Sequence, residues 1–172
     1  MRTIRIKLYK FNELSETAKQ KAIDEWRNNN YDDSSLAWEQ IKDDAKEIGL
    51  KIISLDDNRP NKGEFMLAAN EVAQNILNTH GKDCETYKTA SSFMEEWQPV
   101  FGNYMDESNK DYESQESEEK LMELEDEFLK SLLEDYRIMY NTDIEYQNSD
   151  EYITETIEVN NYEFTEDGKL NY

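Results

Sequence analysis

The residues of this chain best suited to chemistry are its carboxylates. Glu113, Glu116, Glu118, Glu119, Glu123, Asp126, Glu127, Glu134 and Asp135 fall within one short stretch. Carboxylates at that density can ligate hard cations, act as acid–base pairs, or present a line of negative charge to a basic protein. Three adjacent pairs, Asp32-Asp33, Asp43-Asp44 and Asp56-Asp57, offer oxygen ligands for Mg²⁺ or Ca²⁺. None of them lies in the D-x-[DN]-x-[DN]-G spacing of a calcium loop. Asp32-Asp33 sits where helix-capping acids are favoured, and Asp43-Asp44 lies in a helical segment with one or both acids toward water. His80 and Cys84, the sole His and Cys, are spaced for a thiolate–imidazolium pair, but Gly81 between them is expected to end the helix. Two ligands make no zinc site. No catalytic residue, bound metal or cofactor is therefore expected, and a metal-dependent enzyme is the least favoured class.

Charge narrows the choice further. The chain has 40 acidic and 19 basic residues, a net charge of −21. Residues 1–105 hold 18 acids against 14 bases, whereas residues 106–172 hold 22 against 5. Such a surplus repels nucleic acid and anionic membranes and favours basic protein surfaces, with solubility as the competing explanation. The one basic cluster, Arg2, Arg5, Lys7 and Lys10, is too small to bind nucleic acid and fits the exposed side of a strand. Trp26, Trp38 and Trp97 stand in amphipathic segments and are read as core. A single cysteine excludes an intramolecular disulfide, and no apolar run approaches the roughly 18 residues of a membrane span. A cytoplasmic protein is expected.

The elements that must position these acids follow from periodicity. Leu121, Leu124, Phe128, Leu132, Tyr136 and Met139 recur every three or four residues, the apolar side of a long helix over 116–140. The acids fall mainly on its other side. Before it, Thr3–Tyr9 alternates as a strand, and Glu13–Arg27 reads as a helix capped by Asn12 or Ser15. A second helix is expected from Asp33 or Ser34 to Gly49, then a strand over Leu50–Leu55 and a loop over 56–63. Phe65–Leu77 reads as a helix, with Leu67, Val72, Ala73, Ile76 and Leu77 inward. Residues 85–105 read as one helix or two, broken near Pro99, followed by a flexible connection over 106–115. Asn141-Thr142-Asp143 is expected to interrupt the long helix, and Ser149 to cap a short one carrying Ile153, Ile157 and Val159. Asp167-Gly168 signals a terminal hairpin that the first strand can join. Together these predict a single α+β domain over 1–172, its helices packed on one face of a small, mostly antiparallel sheet.

LYKFNELSETAKQKAIDEW at 8–26, LLEDYRIMYN at 132–141 and SDEYITETIEVNNYEFTEDGKLNY at 149–172 resemble segments of a family of small acidic proteins encoded by bacteriophages and prophages. The segments come in the family's order and cover both ends of the chain. The middle departs from the family, because residues 56–84 stand as a variable insertion in place of a glycine-rich loop. The resemblance carries no catalytic residues. It implies a phage product made inside a bacterium, where small acidic proteins inhibit host defence enzymes that bind nucleic acid.

The expected function is thus a non-enzymatic inhibitor of the anti-CRISPR or anti-restriction type, a DNA mimic acting through the nine acids named above. Its partner would be a basic protein such as a host nuclease or CRISPR effector, with no nucleic acid or membrane bound directly. The alternative is a phage regulatory or antitoxin-like module that uses the apolar helix side for a partner or a homodimer. The competing structural reading of the acids is a solvated face with pairs such as Glu116–Lys120.

Overall fold

Residues 7–30, 35–105 and 113–171 are described by the computed structural model. The expected strand residues Thr3–Ile6, the helix start at Asp33 or Ser34, and residues 106–112 of the connection lie outside this range. The chain divides into two compact units, Met1–Ala37 with Thr142–Tyr172 and Trp38–Asn141.

In the first unit, Leu14, Ala18, Ala22 and Ile23 recur at helical spacing and are buried with Phe11, Ile153, Ile157 and Phe164. Helix α1 spans Glu16–Asn30, starting later than the pattern suggests because Phe11–Glu13 forms a 3-10 turn. Ser15 is the cap, its Oγ accepting the Ala18 amide at 3.3 Å. Strand β1, Tyr9–Lys10, pairs antiparallel with Glu163–Phe164 as expected, but it begins at Tyr9, with Lys7 and Leu8 outside it, and runs on to Lys10.

The terminal hairpin also forms. Phe164 bridges Leu170, and the Thr165 amide donates to the Lys169 carbonyl at 2.8 Å. Gly168 takes φ +84°, and a Cβ there would stand 2.2 Å from the Ala18 carbonyl oxygen. The turn therefore rests directly on the α1 backbone, which neither a side chain nor a right-handed φ would permit. Gly168→Ala is expected to cost at least about 2 kcal/mol in a urea titration. An unchanged midpoint would mean that the turn stands away from α1.

The second unit is built around a larger core of Ile48, Leu50, Val72, Ile76, Phe93, Leu132 and Tyr136. Helix α2 is Ser35–Ile48, and Gly49 (φ +92°) ends it, with Leu67 Cδ1 lying 2.6 Å from where its Cβ would be. Strand β2, Leu50–Ser54, appears within the expected Leu50–Leu55 strand, but its partner was not foreseen. Residues 62–65 form strand β3 (Lys62–Phe65), antiparallel to β2 with Leu50 opposite Phe65 and Lys51 opposite Glu64. The helix expected from Phe65 accordingly begins later, as α3 over Ala69–Thr79. Val72, Ala73 and Ile76 are buried there, while Leu67 lies before the helix and stays exposed. Gly63 makes the ribbon's packing possible, since a Cβ would meet Leu133 Cδ2 at 2.7 Å.

Helix α4, Glu85–Met105, continues through Pro99 instead of dividing there. Helix α5 spans Glu113–Gln147, so residues 113–115 of the expected connection are helical and Asn141-Thr142-Asp143 does not interrupt it. At roughly 1.5 Å per residue its 35 residues reach about 50 Å. Asn148 stops it, with its amide and its Nδ2 both donating to the Ile144 carbonyl. Ser149 then caps α6, Asp150–Val159, by accepting the Tyr152 amide at 3.2 Å. Ile153 and Ile157 are buried, and Val159 is exposed.

The α+β class holds. The strands form two separate two-stranded antiparallel ribbons in place of the single sheet that the sequence suggests. Among the described residues no helix is long and apolar enough to cross a membrane.

Candidate partner-binding surface

Helix α5 places its residues by a simple rule, about 100° of rotation per step. Leu121, Phe128, Leu132 and Tyr136 are buried against the second unit's own core, and Leu124 is partly covered by it. The apolar side is thereby occupied within the unit and offers no open helix face. Opposite it, Glu116, Glu119, Glu123, Asp126 and Glu127 follow steps of three, four, three and one, and all five are exposed. They recur roughly every 4 Å along the axis, near the ~3.4 Å between phosphates of one DNA strand.

Four of the nine sequence candidates do not belong to this stripe as described. Glu118 is exposed but stands about 160° from Glu116 in helical projection, on the side shared with Tyr136. Glu134 is held by Arg137, whose Nε donates at 2.9 Å, and by Asn61 Nδ2 at 3.2 Å. The Arg137 guanidinium draws its carboxyl below the usual carboxylate range. Asp135 turns toward α4, half-buried, and accepts Thr89 Oγ1 at 2.7 Å. Glu113 begins the helix, and its side chain lies outside the described set.

Pairing within the stripe is sparse. Lys130 bonds Asp126 one turn away, and among the described residues Glu116 and Lys120 form no ion pair. One acid outside the long helix joins the surface. Glu96 of α4 and Glu127 of α5 line the same groove of about 300 Å³, whose other walls include Phe93, Phe128 and Ser131. The sequence carried no signal for Glu96, because only the α4–α5 packing brings it beside Glu127. Compared with protein-family models, curated proteins and solved structures, the chain matches none. What these acids can do is decided by their own geometry.

The remaining polar clusters are bound up within the second unit. Asp56 Oδ1 accepts the Asn58 and Arg59 amides, closing the loop turn, and Asp57 accepts Asn141 Nδ2 at 2.9 Å and Arg137. The Asn141 bond, then Arg137, lowers the Asp57 carboxyl. Asp44 accepts the Tyr136 hydroxyl at 2.7 Å, and burial first of all pushes that phenol's ionisation upward. His80 Nδ1 lies 2.7 Å from Thr86 Oγ1, itself fully buried, so the imidazole serves Thr86 and not the exposed Cys84. Asp32-Asp33 lies outside the described residues, and among those described no cluster of three His, Cys or acidic side chains could hold a metal ion.

Asp135 yields a pH prediction. Burial, then the charges of Glu85 and Glu134, raise its carboxyl above the ordinary range, against the lowering effect of the Thr89 bond. The folded state then keeps this proton to higher pH than the unfolded chain does. Its contribution to stability falls as pH rises from the ordinary aspartate range through the raised one. Asp135→Asn keeps an acceptor for Thr89 and removes that slope. The variant should gain urea resistance over the parent at pH 7 relative to pH 4; parallel curves at both pH values would contradict this.

Proposed function

We propose that the chain is a non-enzymatic inhibitor that occupies the basic groove of a nucleic-acid-binding bacterial defence enzyme, with α5 taking the place of a phosphate line. The observation that carries this reading is the exposed row Glu116, Glu119, Glu123, Asp126 and Glu127, opposite the buried side of α5 and, among the described residues, ion-paired only at Asp126 by Lys130. A net charge of −21 adds long-range attraction toward a basic cleft and speeds encounter. The resemblance of both chain ends to phage proteins favours an anti-CRISPR or anti-restriction setting in the host cytoplasm. The regulatory or antitoxin-like alternative needs an open apolar helix side, and the side foreseen for it on α5 is already packed inside the second unit.

The test is competition. Purified CRISPR effectors and restriction endonucleases are loaded with labelled duplex, and the chain is titrated in at several salt concentrations. Displacement that weakens steeply with salt supports the mimic. Displacement indifferent to salt would point to an apolar interface, and no displacement from any enzyme would remove the proposal.

A further inference from the structure

The first unit contains a pocket that the α5 reading leaves unused. Its volume is about 240 Å³, and it lies between α1 and the C-terminal ribbon. Glu25, Trp26 and Asn29 line it from α1, facing Tyr162, Phe164 and Asn171. Phe164 is buried and packs on Phe11 at 6.0 Å between ring centroids, so the floor is anchored in the core. Trp26 is half-buried and Tyr162 is exposed.

The charge state of this pocket is its telling property. Glu25 is half-buried, and among the described residues it has neither an ion pair nor a hydrogen bond. The cations nearest in sequence are engaged elsewhere: Lys21 with Asp167 at 2.8 Å, and Arg27 with Asp24 and Asp150. Lys10 holds Glu163, and Lys19 holds Glu16. Among the described residues no Lys or Arg lines the pocket. An aromatic wall attracts a cation through its ring quadrupole, and a partly desolvated carboxylate beside it adds Coulomb attraction. The side-chain amides of Asn29 and Asn171 add hydrogen-bonding groups at the rim. The Glu25 carboxylate disfavours a phosphate-bearing ligand here.

We infer that this pocket binds an organic cation, an alkylammonium or guanidinium group, seated against Trp26 and Tyr162 and neutralised by Glu25. Such a group can come from a free quaternary amine or from an arginine or lysine side chain of a protein. The inference is independent of the α5 stripe, since none of its residues lies there.

Amide and indole NMR shifts are followed while the full chain is titrated with choline chloride, with N-acetylarginine methylamide, and with 3,3-dimethylbutan-1-ol, the uncharged counterpart of choline. Ionic strength is matched with sodium chloride. Saturable shifts confined to the Trp26 indole and the amides of Glu25, Asn29, Tyr162 and Asn171 are expected with at least one cation and not with the alcohol. Saturation by choline at the lower concentration assigns a free amine, and by the arginine amide a protein side chain. Glu25→Gln should weaken the cation at least about tenfold, with its unliganded spectrum showing that the unit remains folded. Saturation by the alcohol, absence of saturable shifts with both cations, or undiminished binding to Glu25→Gln would each overturn the inference.

Discussion

Reversing Glu119, Glu123, Asp126 and Glu127 to lysine is expected to weaken the target enzyme's binding by about 100-fold or more and to leave the helical circular dichroism unchanged. Each change replaces attraction by repulsion at a basic groove, where juxtaposed like charges cost several kcal/mol. All four side chains are exposed, and among the described residues only Asp126 has an ion pair to lose. Such an exposed pair is screened by solvent and adds little to stability, so folding should scarcely register the substitutions. The salt dependence should flatten at the same time. If the variant binds as well as the parent, the row on α5 is a solvated helix face, and the 56–84 segment becomes the next candidate for contact.

Phe128→Ala should have the largest effect on stability, about 3–5 kcal/mol in chemical denaturation. Phe128 is 3% exposed, stacks on Phe93 at 4.1 Å with 7° between ring planes, and meets Phe65 at 5.6 Å. Its removal opens a cavity where α4, α5 and β3 come together. The same variant separates the two views of the apolar side of α5. As a core residue, Phe128 controls unfolding; as a docking residue it would alter partner affinity at constant stability. A loss below about 1 kcal/mol would say that the side chain is not part of a close-packed interior.

Several elements were legible because their signals are local. Ser149 followed by Ile153 and Ile157 specifies a capped amphipathic helix, and Asp167-Gly168 specifies a turn that needs a positive φ. The three–four spacing from Leu121 to Tyr136 likewise depends only on which neighbours share a side. Strand β3 was hidden for the converse reason. Lys62-Gly63-Glu64-Phe65 has no apolar alternation, and its conformation is supplied by pairing with β2 and by the close approach of Leu133 to Gly63. The helix through Asn141 was hidden too. Asn, Thr and Asp each disfavour helix interiors by about 0.5 kcal/mol relative to alanine, but Arg137 and Asn141, one turn apart, both grip Asp57. A contact spanning more than eighty positions in the chain outweighs a local preference of that size.

By itself the sequence determined the excess of acid, its concentration in the last third, and the helical rhythm that sends five carboxylates to one side of α5. Those properties follow from composition and from a fixed rotation per residue. Only the tertiary structure decided which acids remain available. Arg137 and Asn61 engage Glu134, α4 draws in Asp135 through Thr89, and Glu96 is brought beside Glu127. Among the described residues Glu25 has no ion-pair partner for the same reason, because an ion pair depends on where two side chains meet, and that is settled by packing between elements distant in the chain.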